Sequence, residues 1–262
     1  MTTSLPPADQ AKKAAADRAV DFVQDGMRLG LGTGSTAAFM VRRLGERVRS
    51  EGLRVVGVPT SSRTAALARE EGIRVVTLDQ AGWLDLTIDG ADEFDPDLTL
   101  IKGGGGAHLQ EKVVAAASDR MIVISDPGKR VSRLGAFPLP VEVLMFGQKS
   151  SERHLARVLA DVGHGGCRIT QRMAGGQPFV SDEGNAILDL HLGAISDARA
   201  LSVALNQIPG VVENGLFVGM ADLVVIGNPD GTTDLIEAAA GTLAAMQAVR
   251  PAHAEPFADI GD

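Results

Sequence analysis

Cysteine, tyrosine, tryptophan and basic charge are all scarce in this chain. Its 262 residues include one cysteine, one tryptophan and no tyrosine. The lone Cys167 cannot close an intramolecular disulfide, and no zinc-ligand spacing can be built on it. The five histidines (His108, His154, His164, His191, His253) stand at no metal-ligand spacing. There are 33 acidic residues against 25 basic ones, a net charge of −8. General binding to nucleic acid or to an anionic membrane needs a basic face, so this composition argues against both. No run of about 18 apolar residues is present, which excludes a membrane-spanning helix. Residues 1–10 lack the basic and apolar stretches of a secretory leader. The expectation is a reducing, cytoplasmic setting.

Apolar residues and glycine are plentiful. The chain is 45% hydrophobic, enough for one large domain or two modest ones. Many of the 31 glycines fall in clusters, which points to special backbone geometry near ligands. Residues 9–25 read as a helix stopped by Gly26. Strands are expected at 28–31, 54–58, 73–78, 84–88, 98–101 and 121–125. Helical spacing fills 37–48, 63–70 and 107–118. This alternation predicts a Rossmann-like parallel sheet covered by helices. Prolines at 138 and 140 break both periodicities and mark a boundary. Beyond it, a helix at 148–161, strands at 168–173, 178–181 and 186–192, and a helix at 197–207 capped by Asp197 suggest a smaller α+β domain. A strand at 223–226 returns to the first domain. An Ala-rich tail from Leu235 ends in a loose, acidic stretch.

Several polar or glycine-rich loops follow expected strands, where parallel sheets bind ligands. Thr33-Gly34-Ser35-Thr36 opens a helix, and its amides, hydroxyls and helix dipole suit a phosphate. It lacks the P-loop lysine and the full dinucleotide fingerprint, and alone it also fits a plain tight turn. Asp89-Gly90-Ala91-Asp92 leaves a strand with carboxylates placed for sugar hydroxyls or proton transfer, or for an ordinary solvated turn. Lys102 precedes four glycines, Gly103, Gly104, Gly105 and Gly106. So costly a run favours close approach to a ligand over a flexible loop. Thr60, Ser61 and Ser62 follow another strand, and these loops are expected on one rim. Glu111 lies on the helix that the glycines open. Lys129 and Arg130 follow the 121–125 strand, as an anion contact or a solvated turn. His108 and Cys167 read as packed residues, and Lys12 and Lys13 as solvated ones.

Taken in order, Gly30 to Ala37, Asp89 to Glu93, Lys102 to Gly105 with Glu111-Lys112, and Phe137 to Val143 resemble the ribose-5-phosphate isomerases of the A type. Ile208 to Val212 and Gly215 to Phe217 extend the resemblance, which spans about residues 11–231. It implies interconversion of ribose 5-phosphate and ribulose 5-phosphate, in the pentose phosphate pathway, without metal or organic cofactor. It implies that Glu111 is the general base, with Asp89 and Lys102 also catalytic. Thr33, Gly34, Ser35, Thr36, Asp89, Gly90, Ala91, Asp92, Lys102, Gly103, Gly104, Gly105 and Lys129 would bind substrate. It also implies a homodimer or higher homo-oligomer. The expected domains are a Rossmann-like catalytic one (1–136 with 211–262) and a ferredoxin-like α+β one (137–210) at the subunit interface. The alternative is a non-catalytic sugar-phosphate-sensing protein, which would keep Thr33 to Thr36 and lose Glu111 or Lys102.

Overall fold

The computed structural model describes residues 5–238, 257, 259 and 260. In chain order the elements are α1 (Pro7–Val20), β1 (Arg28–Leu31), α2 (Ser35–Glu51), β2 (Val56–Pro59), α3 (Ser62–Glu70), β3 (Arg74–Val75), α4 (Leu78–Ala81) and β4 (Leu86–Gly90). Next come β5 (Glu93–Phe94), β6 (Leu100–Ile101), α5 (His108–Ala116), β7 (Met121–Ser125) and β8 (Leu139–Val143). They are followed by α6 (Gln148–Asp161), β9 (Arg168–Gln171), β10 (Met173–Ala174), β11 (Gln177–Pro178), β12 (Ala186–His191) and α7 (Ala198–Asn206). The order closes on β13 (Val211–Asn214), β14 (Leu216–Phe217), β15 (Leu223–Gly227) and β16 (Thr233–Glu237). The chain divides into two compact units. The first is Met1–Gly90, Gln110–Lys129 and Met220–Asp262; the second is Ala91–Leu109 and Arg130–Gly219.

The first unit is built on a seven-stranded sheet in the order β16-β15-β7-β4-β1-β2-β3. Neighbours are parallel except β15 and β16, which pair antiparallel at the edge. The inner strands are continuous apolar runs because helices cover both faces; all of Met121–Ser125 is buried. Small residues set how close α1 lies to β15. A Cβ on Gly227 would stand 2.5 Å from the Ala15 amide. Ala11, Ala15, Ala16 and Ala19 accordingly form the buried face of the helix. Gly52, in the left-handed conformation at φ 68°, ends α2.

The second unit holds a four-stranded antiparallel sheet in the order β13-β8-β12-β9, with α6 following β8 and α7 following β12. That βαββαβ order is the ferredoxin-like arrangement anticipated from the sequence. Asp197 caps α7 by accepting the Ala200 amide at 2.8 Å. A three-stranded sheet, β14-β6-β5, completes the unit.

Several expectations need correction. The first helix ends at Val20, because the chain turns there to bury Phe22 and Val23. The 73–78 strand is only Arg74–Val75; Thr77 and Gln80 then form a capping box that starts the one-turn α4. Residues 98–101 contribute β6 to the antiparallel β14-β6-β5 sheet, outside the parallel one. The 168–173 strand splits into β9 and β10, and β10 pairs with β11. Residues 139–143 are a buried central strand in spite of Pro140. Its carbonyl accepts the Gly215 amide just beyond the end of β13, so the missing amide costs little there. The second unit also takes in 91–109, 130–136 and 211–219, since β13 pairs with β8. Leu235 lies in β16, and most of the tail beyond it is outside the described residues. Within the tail, Ile260 packs with Val56, Val58 and Val76, and Asp259 pairs with Arg28 at 2.6 Å.

Candidate active site

In the first unit the carboxyl ends of β1, β2, β4 and β7 lie side by side, and each leads into polar groups. After β1, Thr33 Oγ1 meets the hydroxyls of Thr60 at 2.8 Å, Ser61 at 2.8 Å and Thr64 at 3.2 Å. The Thr33 amide donates to Asp89 Oδ1 at 3.1 Å, and the Gly90 amide donates to the same oxygen at 2.7 Å. Asp89 at the end of β4 is fully buried, so its carboxylate is no solvated turn. Backbone closeness dictates the glycine beside it: a Cβ on Gly32 would run into the Asp89 carboxylate and stand 2.6 Å from Asp89 Cα. Gly34, at φ 116°, turns the chain into α2. That helix starts at Ser35 and Thr36 with no side-chain cap and no acid in its first turn. Its opening amides are therefore left without a side-chain cap, an arrangement suited to an anion.

Two more candidates belong to this unit. Glu111 sits in the first turn of α5 and is 4% exposed. Lys129 ends a short 3-10 turn after β7 and is half-buried. Pairing of β4 with β7 sets Asp89 opposite Val123 and Gly90 opposite Ile124.

The second unit carries the remaining candidates. Lys102 is 2% exposed, with its ammonium 5.4 Å from the centre of the Phe217 ring. Gly103, at φ 103°, lies against the buried ring of His108; a Cβ there would be 2.8 Å from His108 Nδ1. The Gly104 amide donates to Asp92 Oδ2 at 2.7 Å. The Gly106 amide donates to Gly103 O at 2.9 Å and closes the turn. Among the described residues, the Gly103 and Gly105 amides have no protein acceptor. Arg172 donates to the carbonyls of both Gly103 and Gly104. Ala91 is half-buried between Gly90 and Asp92.

The structure therefore gathers Thr33, Asp89 and Gly90 with the Thr60–Ser61 loop, and gathers Asp92 with the glycine run. Lys102 to Gly106 follow β6, which pairs in the β14-β6-β5 sheet and is not a strand of the parallel one. Two residues, Thr64 and Arg172, were not anticipated, and Glu93, read as the end of the Asp89–Glu93 run, holds backbone of the second unit. Thr64 completes the hydroxyl cluster one turn into α3, where threonine is a weak helix former and Ser61 already accepts its amide. Arg172 and Glu93 each hold backbone far away in sequence, a relation no local pattern carries. Glu93 is 4% exposed and accepts the amides of Gly135 at 2.7 Å and Phe137 at 2.6 Å. Cys167 is half-buried and burial pushes its thiol pKa up, as befits a packing residue. Among the described residues, no group of three or more His, Cys, Asp or Glu side chains is placed to hold a metal ion. No described helix is long and apolar enough to cross a membrane.

Residues 56–231 match the family of ribose 5-phosphate isomerase A (phosphoriboisomerase A). A ribose-5-phosphate isomerase A of Ruegeria pomeroyi is 62% identical over 243 residues, which are 93% of each chain. One of Cereibacter sphaeroides is 59% identical over the full length of both. Among solved structures, ribose 5-phosphate isomerase A of Methanocaldococcus jannaschii is 42% identical, with a TM-score of 0.78 over 86% of this chain and 97% of that one. The Plasmodium falciparum ribose 5-phosphate isomerase is 37% identical, with a TM-score of 0.83 over 87% and 98%. A further D-ribose-5-phosphate isomerase, 37% identical, was solved in complex with phospho-erythronic acid, with a TM-score of 0.79 over 86% and 97%. On sequence and fold together, this chain belongs to the ribose 5-phosphate isomerase A family.

Proposed function

We propose that the chain interconverts D-ribose 5-phosphate and D-ribulose 5-phosphate by proton transfer between C1 and C2 through an enediolate. The observation that carries this is the 62% identity, over 93% of both chains, to a protein named as that isomerase. Phospho-erythronic acid, bound by one relative, adds a chemical argument. Its planar carboxylate, one carbon beyond a phosphorylated chain, mimics an enediolate.

Glu111 removes the C2 proton of the open-chain aldose, exchanges it with solvent and delivers a proton to C1. A buried carboxylate held in the first turn of a helix is a fixed base, and such a base contributes roughly 10²–10⁴-fold. A proton passes meanwhile from O2 to O1, and Asp89 carries it after assisting ring opening. Lys102 and the amides of Gly103 and Gly105 stabilise the developing oxyanion. The Gly104 amide is engaged by Asp92 and steadies that carboxylate, which holds a substrate hydroxyl. The α2 amides at Ser35 and Thr36 take the phosphate, with Thr33 and Gly34 shaping the loop and Lys129 adding positive charge. With a net charge of −8, these local donors must overcome repulsion of an anionic sugar. The reaction moves protons only, so turnover is expected to survive chelators.

The protein works in the cytoplasm as a homodimer. An exposed apolar run on the second unit, Leu144 (45%), Met145 (50%) and Phe146 (92%), supports self-association. The test is conversion in D2O followed by NMR. Deuterium is expected at C1 of the ribulose 5-phosphate formed. Product without solvent deuterium, formed at a rate that Glu111→Gln leaves unchanged, would point to an internal hydride shift and refute the enediolate route.

A further inference from the structure

Four consecutive glycines have the greatest conformational freedom to lose, and nothing in their own chemistry aims their amides. The aim has to be imposed from outside. A planar, trans peptide points its C=O and N–H in opposite directions, so fixing one fixes the other. In the Gly103–Gly104 peptide both ends are held. The carbonyl accepts from Arg172 Nη1, and the amide donates to Asp92 Oδ2 at 2.7 Å. Arg172 Nη1 also lies 3.2 Å from Gly104 O, which turns the Gly105 amide to the side away from the guanidinium. Arg172 is itself fixed. Its Nε donates to Asp189 Oδ2 at 3.0 Å and its Nη2 to Asp189 Oδ1, a two-pronged pair only 12% and 15% exposed. The backbone beneath it is anchored on both sides: the Arg172 amide donates to Ile187 O at 2.9 Å, and its carbonyl accepts the Phe179 amide at 2.9 Å.

We infer that Arg172, locked by Asp189, is a positioning residue that aims the Gly105 amide and, through the Gly104 amide, the Asp92 carboxylate at substrate. The guanidinium does a second thing besides holding. A cation on the two carbonyls polarises their peptides and makes the amides at the far ends stronger donors. Lysine cannot replace it fully, because an ammonium has no planar fork with which to bind Asp189 twice and two carbonyls at once. The inference rests on the assignment of Asp92 and the glycine run to substrate.

The test is steady-state kinetics of Arg172→Met, Arg172→Lys, Asp189→Asn and Asp92→Asn on ribose 5-phosphate, with thermal unfolding of each. Misaimed oxyanion donors lower kcat, whereas a merely structural arginine lowers only the melting temperature. Arg172→Met is expected to lose about 10–100-fold in kcat with KM changed less than about 3-fold. Arg172→Lys is expected to recover part of that loss. Asp189→Asn combined with Arg172→Met should be no slower than Arg172→Met alone, since Asp189 acts only through the arginine. If Arg172→Met fails to fold, Arg172→Lys decides: a loss of about 5-fold or more supports the inference, and a kcat within about 2-fold of wild type overturns it. Folded Arg172→Met with kcat within about 2-fold of wild type overturns it likewise. If Asp92→Asn is impaired while the Arg172 variants are not, the clamp alone is wrong. If Asp92→Asn is as active as wild type, the assignment of this site fails and the inference falls with it.

Discussion

Gly32→Ala separates the close-packed account of the Asp89 site from a loose one. The added Cβ would meet the Asp89 carboxylate and stand 2.6 Å from Asp89 Cα, where carbon atoms ordinarily keep ~3.5–4.0 Å. Backbone cannot swing aside like a side-chain tip, so β1 and β4 must part by roughly 1 Å at their carboxyl ends. The Gly32 amide bonds Ile88 O at 3.0 Å, and the Thr33 amide bonds Asp89 Oδ1 at 3.1 Å; both lie in the line of that movement. Overpacking costs about 1–3 kcal/mol, and loss of a hydrogen bond to a buried carboxylate adds about 1.5–3. The sum is about 2.5–6 kcal/mol, a large share of the 5–15 kcal/mol typical of a folded domain. Urea denaturation at neutral pH measures it directly. In a heat ramp the melting temperature should drop by about 5 °C or more. Gly90→Ala is the control. A Cβ there meets only Ile124 O at 3.8 Å, so stability should stay within about 1 kcal/mol of wild type. A Gly32→Ala protein as stable as Gly90→Ala would refute the reasoning.

Two further predictions concern buried carboxylates of the second unit. Glu93→Ala strands the amides of Gly135 and Phe137 and should cost about 3–5 kcal/mol in denaturant unfolding; a loss under about 1 kcal/mol would show that water or a shifted loop replaces the carboxylate. Glu142 is fully buried, and burial pushes its pKa up against the opposing hydrogen bonds from Ser181 and Asn185; Glu183 adds repulsion, and His108 Nε2 lies 4.0 Å away. The folded state therefore holds the Glu142 proton more tightly than the unfolded chain does. Stability from this group is full below the ordinary glutamate pKa of about 4.3 and is lost as pH rises through the raised folded value. Glu142→Gln should flatten that fall, its advantage over wild type growing with pH in urea titrations. An unchanged pH profile would mean that Glu142 is not the group responsible.

The parallel sheet was legible because its inner strands are unbroken apolar runs between glycine-rich turns, as in residues 28–31 and 121–125. The ferredoxin-like unit was legible from helix and strand pairs, and the α7 start from Asp197 alone. Proline misled at residue 140, where its effect depends on which neighbour lies beside the amide, a tertiary fact. Residues 98–101 were legible as a strand but not as to its sheet, since two apolar residues carry no partner information. At the site, glycine clusters and carboxylates beside them marked Asp89, Asp92 and Lys102 to Gly105, because backbone crowding leaves a local trace. Arg172 and Asp189 left none: Arg172 acts on backbone distant in sequence, Asp189 acts through Arg172, and each looks in sequence like any strand or surface charge. Glu93 was visible as the end of the Asp89–Glu93 run, but its partners Gly135 and Phe137 were not.

The central claim is that Glu111 is the base of an aldose–ketose isomerase. Its most direct test is the rate at which the purified protein, in the presence of a chelator, converts ribose 5-phosphate, measured beside Glu111→Gln. Wild-type turnover is predicted to persist, and Glu111→Gln to fall by at least about 10²-fold with folding intact. Equal rates would remove Glu111 from the chemistry and leave Asp89 as the next base to test. A wild-type protein that binds the sugar phosphate and never converts it would contradict the account outright and establish a sensor.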